Sequence, residues 1–133
     1  MTESLNETLS ILVIEDDPGD FGLVKAYLGL AGLIASGAVS GLVWAKTLAQ
    51  GIAAAQLNAP DVILLDLSLP DSGGLATLQT LRAALPHAPI LVLTGHDEQT
   101  LARATLESGA QDFLVKGQFD PDQGEFIHEQ MLF

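Results

Sequence analysis

DVILLDLSLPDSGG, residues Asp61–Gly74, opens with four consecutive apolar side chains, Val62–Leu65, and stops them on a carboxylate, Asp66. A strand with one face in water alternates apolar and polar residues, whereas an unbroken Val/Ile/Leu run of this length suits a strand covered on both faces, as in a parallel sheet. Three other runs have the same form: Ile11–Ile14, Ile90–Leu93 and Phe113–Val115. A fifth, weaker strand is expected at Val39–Ala45.

Helical patterns lie between the runs. Asp17 is placed to cap a helix with Pro18 in its first turn, where a missing N–H costs little; Phe21, Val24 and Leu28 then share a face. Leu48, Ile52 and Ala55 mark a second helix, ended by Pro60, and Leu75, Leu78, Leu81 and Leu85 a third, ended by Pro86. Leu101, Ala104 and Thr105 lie on a fourth, with Gly109 suited to the residue just past its end. The Gly-rich stretch Leu28–Gly41 reads as the connection into the second strand. Strands alternating with helices at this spacing predict an α/β fold, a three-layer, doubly wound five-stranded parallel sheet. The chain is expected to be one domain, residues 1–133, with its core at about 9–120. After Lys116 the pattern weakens, so residues 121–133 are expected to be short or irregular, with Gln123–Phe133 as a short or displaced last helix.

Composition narrows the function. The 133 residues are 48% hydrophobic and only 5% aromatic, so aliphatic side chains build the core. Five Lys and Arg against seventeen Asp and Glu leave a net charge of −12. That balance argues against nucleic-acid binding by this chain alone, because phosphate backbones are gripped by cations. An acidic chain can still bind a metal cation or a basic partner surface. With no cysteine, disulfides, zinc thiolates and thiol catalysis are excluded. Met1–Ser10 lacks a basic leader, and no apolar run approaches the roughly 18 residues of a membrane span; the cytosol is the expected compartment. His87, His96 and His128 show no metal-ligand spacing and read as solvated, with His96 near the rim of the site described next. Trp44 and Tyr27 read as packing in the core or at its edge.

In open α/β sheets ligands bind outside the carboxyl ends of the strands. Ile11–Ile14 is followed by Glu15, Asp16 and Asp17, Val62–Leu65 by Asp66, Ile90–Leu93 by Thr94 and Gly95, and Phe113–Val115 by Lys116. Each has an ordinary reading alone, since strands end in solvated loops, Asp17 serves as a helix cap, and Asp66 could cap a turn. Together they would bring carboxylates, a hydroxyl and an ammonium to one edge. Two carboxylates about 4 Å apart repel by about 4 kcal/mol at an effective dielectric of about 20. A divalent cation relieves that repulsion, and Mg²⁺ favours a few carboxylate oxygens completed by water and phosphate oxygens.

In this arrangement the chain resembles the receiver domains of two-component response regulators. ILVIEDDP (Ile11–Pro18) is similar to that family's first strand and acidic pair, DVILLDLSLPDSGG to its phosphoacceptor strand and following loop, ILVLTGHD (Ile90–Asp97) to its switch-threonine strand, and DFLVKG (Asp112–Gly117) to its lysine strand. The match runs from about Leu9 to Gly117. The resemblance implies a flavodoxin-like strand order, 2-1-3-4-5, and a phosphoacceptor role in a phosphorelay rather than an enzyme's. Asp66 would take a phosphoryl group from a sensor histidine kinase or a histidine phosphotransfer protein. The metal, Mg²⁺ with Mn²⁺ as a substitute, would be held by Asp16, Asp66, the Ser68 backbone carbonyl and, through water, Glu15. Thr94 and Lys116 would bind the phosphoryl oxygens, and Phe113 matches the aromatic switch position, its ordinary reading being a core side chain. The aspartyl phosphate would then switch a surface read by a downstream effector or dimer partner that the sequence does not identify. Gly117 stands where many receivers have proline, so no cis peptide is expected there. Two alternatives differ in class. A metal-dependent phosphohydrolase on a similar fold needs a second Asp where this chain has Ser68, and an unphosphorylated interaction module would not need the acidic set. The chain reads either as a stand-alone regulator or as a receiver from a hybrid kinase or larger regulator, the weak end leaning towards the second.

Overall fold

The structure, a computed structural model, describes residues 9–30, 32, 36–95 and 99–115. Among these residues eleven elements follow in chain order: β1 (Leu9–Ile14), α1 (Pro18–Leu30), β2 (Val39–Ala45), α2 (Leu48–Leu57), β3 (Val62–Asp66), β4 (Ser68–Leu69), β5 (Ser72–Gly73), α3 (Leu75–Ala84), β6 (Ile90–Thr94), α4 (Gln99–Glu107) and β7 (Asp112–Val115). Five strands form one sheet in the order β2-β1-β3-β6-β7, every neighbouring pair parallel. Setting aside the small β4–β5 ribbon, this is the expected 2-1-3-4-5 order.

The unbroken apolar runs behave as two-sided strands. All five residues of β3 and of β6 are buried. Ile11, Val13, Val62, Leu64, Leu91, Leu93 and Leu114 point to one face, where Val24 and Leu28 of α1 cover them. Leu12, Ile14, Ile63, Leu65, Ile90 and Val92 point to the other, under Leu48 and Ala55 of α2 and Leu78 and Leu81 of α3. Each buried Leu or Ile stabilises the fold by about 1.5–3 kcal/mol relative to exposure, so these two layers dominate its energetics.

The helix ends follow local chemistry. Asp17 caps α1 as expected: its Oδ1 accepts the Gly19 N–H at 2.9 Å, and Pro18 opens the helix. α1 continues to Leu30, so the connection to β2 is shorter than the Gly-rich stretch suggested. α3 stops at Ala84, Leu85 forming its cap rather than its last turn. α4 ends in a Schellman arrangement, with Ala110 N–H on the Thr105 carbonyl and Gly109 N–H on that of Leu106. Gly109 has φ 105, a conformation that side chains resist. Lys116, Gly117, His96, His128 and the expected last helix at Gln123–Phe133 lie outside the described residues.

α2 approaches β1 closely because Gly51, buried, has no side chain. A Cβ there would come within 2.7 Å of Ile14 Cγ1, and Ile14 is itself fully buried. Gly51→Val therefore overpacks this contact and should lower stability by about 2 kcal/mol. Urea unfolding checks this; a variant as stable as the wild type would show that α2 can retreat freely.

Candidate functional site

Register decides which side chains meet at the carboxyl edge. Ile14 is paired with Leu65, so the next residues, Glu15 and Asp66, emerge side by side. Asp66 is paired with Leu93, which brings Thr94 one step beyond, and Thr94 is paired with Val115. Strand ends of β1, β3 and β6 thus deliver a carboxylate, a carboxylate and a hydroxyl to one edge.

Glu15, Asp16 and Asp66 come together: each offers a carboxylate oxygen, and these oxygens all lie within 4.8 Å of one another. Glu15 and Asp66 are buried, at 0% and 3% exposure, while Asp16 faces solvent. Glu15 Oε1 accepts the Asp17 N–H at 3.1 Å, which turns the chain at the end of β1. Asp66 Oδ1 accepts the Ser68 N–H at 3.1 Å, tying the acid to the loop that follows it. Thr94 is fully buried, and its hydroxyl donates to the Leu114 carbonyl over a long 3.4 Å. Phe113 is half-buried against the layer that contains Leu101 of α4. Lys116 is outside the described residues.

The donor set suits a hard divalent cation. All three groups are carboxylates, two are largely withdrawn from water, and their mutual repulsion is of the order of a few kcal/mol per close pair. A cation among them would offset this, and the exposed Asp16 side leaves room for the water and phosphate oxygens that Mg²⁺ or Mn²⁺ retains.

Two contributors carry no motif in the sequence. Trp44, the chain's single tryptophan, donates its indole N–H to the Glu15 backbone carbonyl. Its ring stacks on Phe21 of α1, with centroids 4.4 Å apart and planes 3° from parallel, while Lys46 Nζ sits 4.7 Å from its centroid. Trp44 is thus a bracket between α1, β2 and the acidic turn rather than a plain packing residue. Asp71, at the tip of the β4–β5 ribbon, accepts the backbone N–H groups of Leu48 at 2.9 Å and Ala49 at 3.0 Å. These two hydrogen bonds at the start of α2 hold the Asp71 carboxyl below its ordinary value. An apolar stripe or a helix period gives no hint of either contact, because both partners come from distant parts of the chain.

Comparison with known proteins agrees with this geometry. The family model described as "Response regulator receiver domain" matches residues 11–125. The swarming motility regulation protein RssB of Serratia marcescens is 36% identical over 81% of this chain and 46% of its own length. The transcriptional regulatory protein PrrA of Mycobacterium tuberculosis is 33% identical over 80% of this chain and 42% of its own length. The chain therefore spans about half the length of these curated relatives. Among solved structures, the receiver domain of NtrX from Brucella abortus superposes with a TM-score of 0.76 at 27% identity, covering 92% of this chain and 98% of that one. Among the described residues, no helix is long and apolar enough to cross a membrane. The sheet order, the acidic edge and the matched family coincide: this chain belongs to the response regulator receiver domain family.

Proposed function

We propose that this receiver domain accepts a phosphoryl group on Asp66 from the phosphohistidine of a sensor kinase or a histidine phosphotransfer protein. The observation that carries the reading is the convergence of Glu15, Asp16 and Asp66 within 4.8 Å at the carboxyl edge of the parallel sheet. In the step itself a carboxylate oxygen of Asp66 forms a bond to phosphorus while the P–N bond to the donor imidazole breaks, and the electron pair leaves with the imidazole. Asp16, Asp66, the Ser68 carbonyl and, through water, Glu15 would hold Mg²⁺. Bound there, the ion would supply charge neutralisation for the phosphoryl oxygens, the main demand of such transfers.

The protein's own groups do the rest. The Ser68 N–H on Oδ1 fixes the rotation of the Asp66 carboxylate. Thr94 would release its weak bond to the Leu114 carbonyl and turn its hydroxyl to the new phosphoryl group. Lys116 would pair with another phosphoryl oxygen. Because Thr94 and Leu114 belong to adjacent strands, that exchange would loosen one link between β6 and β7 and let Phe113 repack against α4. A shift of this kind biases a surface that a downstream effector or a second receiver reads. With five cations against seventeen acids, direct nucleic-acid binding by this segment is not part of the proposal.

A Mg²⁺ titration tests the site directly. Trp44 is bonded to the Glu15 carbonyl, so its fluorescence should change as the ion enters. Asp16→Asn should weaken the apparent affinity at least about 10-fold, and EDTA should reverse the signal. A flat titration confirmed by calorimetry would refute the metal site.

A further inference from the structure

We infer that Asp71 is a positioning residue for the acidic site, a latch that fixes the loop carrying Ser68 to the start of α2. The inference rests on the proposed reading of Asp66 as the phosphoacceptor.

The loop after β3 is a short lever held at both ends. At its base the Ser68 N–H grips Asp66 Oδ1 at 3.1 Å, and the Gly74 N–H closes the ribbon on the Leu67 carbonyl at 2.7 Å. Along its length Ser68 pairs with Gly73 and Leu69 with Ser72. At its tip Pro70 and Asp71 make the turn, and each Asp71 carboxylate oxygen takes one N–H of α2. Ser68, Pro70, Asp71 and Gly73 are all exposed. A two-stranded ribbon of this size is not stable by itself in water. Its position therefore depends on its anchors: the buried Leu67, the Ser72–Thr77 hydroxyl pair at 2.8 Å, and Asp71.

The far anchor is a firm one. α2 is seated on β1 through Gly51 and Ile14, and Ile14 directly precedes Glu15. Glu15 and Asp66 are thus both referenced to the same helix, one through the β1 contact and one through the Asp71 lever. Asp71 is also more than a helix cap. α2 has its own cap, Thr47, which accepts the Gln50 N–H at 3.0 Å. What would lose its hold without Asp71 is the loop, with the Ser68 N–H and carbonyl that flank the phosphoacceptor.

Thr47 supplies the control, since Thr47→Ala weakens the same helix end without touching the loop. Mg²⁺ affinity by calorimetry, thermal stability and hydrogen exchange of the Ser68 amide are compared for the wild type, Asp71→Ala, Asp71→Asn and Thr47→Ala. Asp71→Ala should weaken Mg²⁺ binding on the order of 10-fold, as loss of an outer support around a metal site does, and speed exchange at Ser68. Asp71→Asn, which keeps one acceptor oxygen, should recover part of both. Thr47→Ala should lower the melting temperature and leave Mg²⁺ affinity at the wild-type value. Wild-type Mg²⁺ affinity in Asp71→Ala, or an equal loss in Thr47→Ala, would overturn the latch alone. A wild-type chain that binds no Mg²⁺ would instead remove the phosphoacceptor reading and the latch with it.

Discussion

Asp66→Asn should reduce phosphoryl uptake from acetyl phosphate to background, read as the absence of the mass gain that the wild type shows with Mg²⁺. The substitution is nearly isosteric. The amide oxygen of asparagine can still accept the Ser68 N–H, so the loop geometry should persist. What disappears is the anionic oxygen that must attack phosphorus, and a neutral amide is a far weaker nucleophile. The electrostatics protect this experiment from a trivial outcome. Removing one negative charge from three carboxylates packed within 4.8 Å relieves repulsion, so the variant should fold at least as stably as the wild type without metal. Urea unfolding in EDTA verifies that condition. An unchanged mass gain on the variant would place the phosphoryl group elsewhere and sink the assignment.

The same cluster shows what a sequence can reveal without coordinates. The β3 run is legible because burial on both faces leaves no polar position inside it, and Asp66 is legible because it ends that run. In a parallel sheet all runs finish at one edge, so the residue after each run is already placed in space. This is why Glu15, Asp66 and Thr94 could be grouped before any distance was known. Boundaries were less legible. β1 begins at Leu9, two residues before the apolar run, because Leu9 pairs with Val39 and Ser10 with Gly41 of β2; Ser10 also donates to the Asp61 carboxylate through its N–H at 2.8 Å and its hydroxyl. The tight ribbon at Ser68–Gly73 left no period to detect, being two residues on each side. Asp71 and Trp44 were missed for a different reason. Both act by hydrogen bonds to backbone groups, which every residue carries, and such partners leave no trace in residue type. Gly74 shows how the ribbon is terminated: at φ 69, ψ −157 it occupies backbone space that only glycine enters readily, and α3 starts directly after it.

Backbone acceptors also explain the largest stability effect expected away from the site. Arg82, in the last turn of α3, donates through Nη1 to the carbonyls of Leu85 at 3.3 Å, Pro86 at 3.2 Å and Ala88 at 2.7 Å, and through Nη2 to that of Gly109 at 2.7 Å. One guanidinium thus joins the end of α3, the turn into β6 and the turn into β7, and it also meets the carbonyl end of a helix dipole. Arg82→Met keeps the aliphatic stem and removes every donor, leaving the half-buried Leu85 and Ala88 carbonyls, and the exposed ones of Pro86 and Gly109, to find other partners. Bonds to a charged donor are worth about 1.5–3 kcal/mol each but do not add within one cluster, so a loss of about 3 kcal/mol is expected. The urea midpoint should fall with the slope unchanged, since the denatured chain exposes the same surface. Arg82→Lys should recover only a minor part, because a single ammonium lacks the planar fork that reaches Ala88 and Gly109 in two directions. A methionine variant within about 0.5 kcal/mol of the wild type, the range of an ordinary surface change, would show that these turns hold their shape without the guanidinium. A lysine variant with full stability would show that charge at the helix end, rather than the fork, is what the fold uses.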